Sequence, residues 1–151
     1  KKPAADVLMG FNSKVNYKNW DFGFNGRVSL GNYVYNAPAA NTANISNNSI
    51  YANGFLSNVT KSALETNFGS KQLLSDYYVQ NGSFLKIDNI TLGYTLQKLA
   101  KRNVNARVYA TVQNPIVITK YDGVDPEVSD GIDFNFYPRP LMFILGVNLN
   151  F

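Results

Sequence analysis

The 151 residues contain neither cysteine nor histidine. Without cysteine there is no disulfide, no thiol nucleophile and no thiolate metal site. Without histidine the chain lacks the commonest general base and the commonest nitrogen ligand for metals. Charge is also sparse. Charged residues make up 16% of the chain, the net charge is +4, and the longest basic runs are Lys1-Lys2 and Lys101-Arg102. A nucleic-acid footprint is normally a clustered basic patch, so no nucleic-acid partner is expected. Long hydrophobic runs are missing as well, since none approaches the ~18 residues of a membrane helix. The chain opens on "KKPAAD", with no signal peptide and no initiating Met, and reads as cut from something longer. These absences leave a chain that is not an enzyme, with no catalytic residue and no cofactor.

What the chain does contain is apolar and aromatic. Apolar residues make up 45%, and there are ten Tyr and ten Phe. Mixed with Gly and Asn, that composition suits strands joined by turns. The cleanest pattern lies in "FILGVNLNF". Leu141, Phe143, Leu145, Val147, Leu149 and Phe151 fall on one parity, while Gly146, Asn148 and Asn150 fall on the other. Ten steps of strand reach ~33 Å, and at a tilt of ~45° they rise ~23 Å, close to the ~25 Å apolar band of an outer-membrane barrel. The same alternation recurs in "VLMGFNSKVNY", "WDFGFNGRVSLG", "NITLGYTL" and "ARVYATVQ". Upstream of "NITLGYTL", Leu85 and Ile87 sit on the opposite parity, and a bulge near Asp88-Asn89 reconciles them. Pro115 marks a bulge or the end of the fourth strand, with Asn114 available to satisfy a freed backbone group. Lys14, Arg27 and Arg107 all fall on the polar face. Tyr17, Trp20, Tyr94 and Phe151 gather near strand ends, as interfacial aromatics do.

Five strands follow, and the links between them alternate in length. "YKNW" and "QKLAKRNVN" are short, whereas residues 33–82 and 118–137 are long. Outer-membrane barrels have short periplasmic turns and long extracellular loops in this way. Within the first long loop, "VTKSALETNF" reads as a short helix centred on Ala63 and Leu64 and stopped by Gly69. Known membrane barrels start at about eight strands, and open sheet edges are not tolerated in lipid. The expectation is therefore an all-β, antiparallel transmembrane β-barrel segment belonging to a larger barrel. A small self-contained outer-membrane barrel is one alternative. A soluble β-sandwich carbohydrate-binding module is the other, because a soluble antiparallel sheet also alternates.

"SDYYVQNGSFLKIDNITLGYTL", "ARVYATVQNPIVITKYDGVDPEV" and "GIDFNFYPRPLMFILGVNLNF" resemble the C-terminal end of SusC/RagA-type TonB-dependent transporters of the Bacteroidetes. The resemblance is strong over residues 75–151 and diffuse over residues 6–32. It implies that residues 1–151 are the last strands of a plugged barrel of the 22-stranded type, with the plug domain absent from this sequence. It further implies location in the bacterial outer membrane and import of a nutrient, an oligosaccharide or a peptide. The implied partners are a SusD-like surface lipoprotein, the TonB complex acting through the missing N-terminal part, and the outer-membrane assembly machinery. The lipid bilayer is the implied surroundings. By resemblance, the last strand with its terminal aromatic (Phe143, Leu145, Val147, Leu149, Phe151) is an assembly signal and membrane anchor.

Candidate site residues lie in the long loops. Asp122, Asp125, Glu127, Asp130 and Asp133 are five carboxylates in one loop, oxygen ligands of the kind Ca²⁺ takes. Their spacing does not match an EF-hand, and Asp before Gly or Pro is ordinary turn chemistry. Tyr77, Tyr78, Tyr121 and Tyr137 are candidate contacts for substrate or partner, since Tyr rings stack on sugars and fill interfaces. Tyr33, Tyr35 and Tyr51 lie in the same loops. Arg139, between two prolines in "YPRP", is a further candidate contact.

Overall fold

A computed structural model describes residues 1–43, 61–99, 104–134 and 137–150. The chain divides into two compact units. One comprises Val7–Ser29, Phe84–Thr119 and Arg139–Phe151; the other comprises Lys1–Asp6, Leu30–Ser83 and Lys120–Pro138.

The first unit is a single antiparallel sheet. Its strands are β1 (Val7–Tyr17), β2 (Trp20–Leu30), β5 (Phe84–Leu99), β6 (Val104–Thr119) and β8 (Met142–Asn150), paired in that order. Each strand neighbours the next one of the sheet in chain order, an up-and-down meander with β1 and β8 left as open edges. The two-residue turn between β1 and β2 places Lys18 at φ 54°. The Thr95 N–H bonds the Asn19 carbonyl at 2.8 Å, tying that turn to β5.

Register turns the alternation into rows. Trp20 pairs Tyr94, Phe22 pairs Leu92 and Phe24 pairs Ile90. Tyr94, Leu92 and Ile90 in turn pair Val108, Ala110 and Val112 of β6, which pair Val147, Leu145 and Phe143 of β8. Three rows thus cross four strands on one face without a charge. The expected parity slip is present. Both pairings of β5 shift between Ile87 and Asn89, so Asp88 is the extra residue and Leu85 and Ile87 return to the apolar face. On β6 the same irregularity takes in Asn114, at φ 53°, and Pro115. Pro115 is therefore a bulge within the strand rather than its end, and β6 runs on to Thr119, beyond the boundary expected from sequence. Proline is tolerated there because an irregularity already breaks the ladder.

A sandwich would bury the apolar face under a second sheet. Here that face stays open: Phe143 is 74% exposed, Leu145 82% and Val147 60%.

The second unit adds short strands and a second helix to the helix expected in residues 33–82. It contains β3 (Tyr33–Asn36), α1 (Ala37–Thr42), α2 (Lys61–Thr66), a 3-10 turn (Asp76–Tyr78), β4 (Val79–Asn81) and β7 (Ile132–Asp133). β3 is the centre of a small sheet, antiparallel to β4 and parallel to β7. Asn36 caps α1, its Oδ1 accepting the Ala39 N–H at 2.9 Å, and Pro38 stands in the first turn, where a missing N–H costs nothing. α2 matches the expected helix, with Ala63 buried and Leu64 at 73% exposure. It is stopped by Asn67 rather than Gly69: Asn67 adopts φ 50° and its N–H bonds the Ala63 carbonyl at 3.1 Å. Residues 59 and 60 of the expected helix lie outside the described residues. Ala40, Ala43, Ala63 and Tyr78 form one core cluster, and Val34, Tyr121 and Val128 another.

Candidate functional site

Two places concentrate polar chemistry, one in each unit. In the sheet it is the face opposite the apolar rows. Arg107 reaches across β5 to Asp21, with Nε–Oδ1 at 2.8 Å and Nη2–Oδ2 at 2.5 Å. The crossing is possible because position 93 is glycine. A Cβ there would lie 2.7 and 2.8 Å from the Arg107 guanidinium nitrogens. The guanidinium also stacks on Tyr109, 5.0 Å from the ring centre. Arg27 grips Asp88, the bulge residue, through three contacts of 3.0–3.2 Å. Thr91 and Thr111 share a hydrogen bond of 2.8 Å. The cations expected on the polar face are thus there, and two of them, Arg27 and Arg107, are ion-paired.

In the loop unit the site is a cavity of about 800 Å³. Its wall draws on five separated stretches: Asn36–Ala39, Lys61–Glu65, Tyr77–Gln80, Asp122–Val124 and Asp133. The Tyr77 hydroxyl donates to Glu65 at 3.3 Å, and burial, followed by the Glu65 and Asp122 charges, raises its pKa. Tyr78 is 1% exposed, and its hydroxyl has no hydrogen-bond partner among the described residues. Burial raises its pKa, helped by Tyr77 and Tyr35. The Tyr121 hydroxyl donates to Asp133 at 2.6 Å, with both groups buried. Burial drives the Tyr121 pKa well up, and the Asp133 and Asp122 charges add to it. Gly123 makes room for the Tyr121 ring, which a Cβ would overlap.

The candidates named from sequence separate accordingly. Tyr77, Tyr78, Asp122 and Asp133 come together on the cavity wall. Tyr121 is a core residue, 5% exposed. Asp125 accepts the Glu127 N–H at 2.9 Å, the turn chemistry expected of Asp-Pro. Asp130 is exposed, as are Tyr137 and Arg139, and none of the three lines the cavity. Among the described residues, no three acidic groups gather as a metal-holding cluster. Phe143, Leu145, Val147 and Leu149 share the apolar face of the sheet, at its β8 edge. Phe151 and Tyr51 lie outside the described residues. Sequence reasoning missed Asn36, Lys61, Glu65 and Gln80. The Lys61/Glu65 spacing of four on one helix face was a signal, Asn36 ahead of Pro38 marked a helix start, and Gln80 carried none.

A single sheet, apolar on one face, ion-paired on the other and open at both edges, is a segment of β-barrel wall. No family model matches the sequence. The chain is 51% identical over its whole length to the TonB-dependent receptor SusC of Bacteroides thetaiotaomicron, covering 16% of that protein. It is 27% identical, over 99% of its length, to a TonB-dependent receptor of Formosa agariphila, covering 17% of it. Among solved structures, the RagAB peptide importer in the open-open state superimposes over the full chain with a TM-score of 0.78 at 25% identity, covering 18% of the importer chain. The chain therefore belongs to the SusC/RagA type of TonB-dependent receptor, as one segment of it. It spans 16–17% of the length of the curated relatives it matches. These relatives are receptors and transporters of the outer membrane, not enzymes.

Proposed function

We propose that this chain forms the last strands of a plugged outer-membrane barrel that imports a nutrient, an oligosaccharide or a peptide, in a TonB-dependent manner. The observation that carries the reading is the set of three uncharged rows across the exposed face of the sheet, backed by ion pairs on the other face. A face of that kind needs an apolar solvent, and lipid supplies one. The 51% identity to SusC over the whole chain supports the same reading. On this account the long loops at 33–82 and 118–137 are extracellular and meet a SusD-like surface lipoprotein. The TonB complex acts on a plug encoded outside this sequence. β8, with Phe143, Leu145, Val147 and Leu149 on its apolar face, closes the barrel and is read by the assembly machinery. Tyr77 and Asp122, on the cavity wall, are the loop residues proposed to touch a ligand, Tyr78 being 1% exposed, and Arg139 and Tyr137 are exposed candidates for partner contact.

The test is a deletion of the gene that carries this chain, followed by uptake of labelled oligosaccharides and peptides by whole cells. Loss of uptake of one of these classes, restored by the intact gene and abolished by collapsing the proton gradient, is the expected result. Unchanged uptake of both classes, or recovery of the protein in the soluble fraction, would refute the reading.

A further inference from the structure

We propose that the edge of β6 from Ile116 to Ile118 is paired by a strand of the same protein encoded outside this sequence. That strand closes the barrel against β8, runs past the end of β8 and continues the ladder directly on β6. The inference rests on the barrel reading above and adds a step in the wall that closure alone does not require.

The step comes from the shortness of β8. It has 9 residues, where β1 and β2 have 11 and β5 and β6 have 16. Its pairing with β6 runs from Asn105–Asn150 to Gln113–Met142 and stops there. On its other side β6 stays paired with β5 as far as Phe84–Thr119. Residues 137–141, which lead into β8, belong to no strand, and Pro138 and Pro140 have no N–H to give a ladder. The Asn114 amide on the Pro140 carbonyl, at 3.0 Å, closes the base of the step. Among the described residues, no strand pairs β6 on this side beyond Gln113.

Depth makes such an edge costly. Counted along β5 from Tyr94, with the bulge residue Asp88 left out, the rows of Ile116 and Ile118 lie ~14 Å and ~19 Å from the Trp20–Tyr94 row. Both fall inside an apolar band of ~25 Å. Backbone groups there have no water to bond, so a lipid-facing edge must be paired.

The side chains show an edge built for a partner. Open edges are normally guarded by a charge, a proline or a bulge. Here the guards stop at Pro115 and resume at Lys120, and the residues between Pro115 and Thr119 are β-branched and uncharged. Val117 is the independent sign. It stands in the row Arg27–Lys86–Val117 on the polar face, yet it is apolar and 47% exposed. A strand laid along β6 covers it.

Chain length decides which strand. These residues span 16% of the SusC relative, so most of the barrel lies outside them. Closure sets its first strand against the free edge of β8. A closing strand as long as β5 or β6 outruns the 9 residues of β8 by 7, enough to cover Ile116–Ile118. Past Met142 it leans in by one strand spacing of ~4.8 Å. Both it and β6 are antiparallel to β8, so the two meet in parallel.

The test uses the purified whole receptor in detergent, without any partner protein, and two readouts. The first is residue-level hydrogen exchange on the unaltered protein, which needs no variant to fold. Successive amides of a strand face opposite sides, so at least one of the amides of Ile116, Val117 and Ile118 looks away from β5. All three are expected to exchange within about tenfold of Thr111 and Val112. The second is photo-crosslinking from p-benzoylphenylalanine placed at position 117 or 118, with the joined peptides read by mass spectrometry. The crosslinks are expected in the first barrel strand of the same polypeptide. Faster exchange at any of the three amides would overturn the proposal. So would protection that appears only when a surface lipoprotein is added, crosslinks to a second copy, or crosslinks to detergent alone. Neither readout needs transport, so failure here leaves the uptake result standing, whereas recovery of the protein in the soluble fraction defeats the barrel reading itself.

Discussion

At the scale of single residues, the loop unit depends on phenols held neutral in acidic company. Tyr121 is the sharpest case. Burial and then the bond to Asp133 raise its pKa above the ordinary value. A raised phenol keeps its proton in the fold at pH values where the unfolded chain has lost it. Its contribution is therefore fully present below the ordinary phenol pKa of about 10 and is lost progressively above it. The loop unit should become easier to open from about pH 10 upward. Subtilisin, which tolerates that range, should cut residues 120–134 of the whole protein faster as pH rises. In Tyr121→Phe the extra acceleration should vanish, while cutting at pH 8 is faster than in the parent because Asp133 has lost a bond worth about 1–3 kcal/mol. A parent and variant that share one pH profile would remove Tyr121 from this role. Sequence alone placed Tyr121 among surface candidates. Nothing in "KYDGVDPEV" announces that the ring packs over Gly123 and against Val34 and Val128, which are distant in the chain or carry no polar mark.

Among the elements, the long strands were legible and the short ones were not. An eleven-residue strand repeats its alternation often enough to be read, and so does its interruption: the slip at Leu85 and Ile87 located the bulge at Asp88 before any pairing was known. β3, β4 and β7 have four, three and two residues, too few to alternate, and β7 finds its partner about a hundred residues away in sequence. The start of α1 was readable in principle, from Asn36 followed by Pro38, but a helix of six residues carries no amphipathic period to support it. The bulge on β6 also gives a prediction. Asn114 sits at φ 53° and its side-chain amide donates to the Pro140 carbonyl at 3.0 Å, joining the bulge to the entry of β8. Asn114→Gly keeps the backbone conformation and loses only that bond, a cost of about 1 kcal/mol. Asn114→Val adds a β-branched residue in the left-handed region, for a total of about 2–3 kcal/mol. The temperature at which the barrel loses its compact mobility in detergent gels should fall in the order parent, Gly, Val. Equal falls would mean that the conformation at 114 is unstrained for valine.

Over the whole molecule, the question is what solvent the apolar rows meet, and depth along the strand answers it. The row Trp20–Tyr94–Val108–Val147 carries the paired aromatics, rings 4.7 Å apart, and so marks an interface on the proposed reading. The row Phe24–Ile90–Val112–Phe143 lies four residues further along, which at a tilt of ~45° is ~9 Å deeper. Lipid penalises arginine by depth, about 2–4 kcal/mol at the midplane and about 0–1 near the interface. A protein core would penalise both positions alike, because burial there does not follow the strand axis. Val112→Arg should therefore lower the folding stability of the whole protein in vesicles by about 2–4 kcal/mol, and Val108→Arg by no more than about 1. Thr111→Arg, one residue from Val112 but on the polar face beside Thr91, should cost about 1 kcal/mol, chiefly the lost hydroxyl pair. The three variants share one strand and one new side chain, so propensity and charge number cancel between them. Equal penalties at 108 and 112 would point to a protein partner over the face, and a penalty at 111 as large as at 112 would mean that the two faces are not in different solvents.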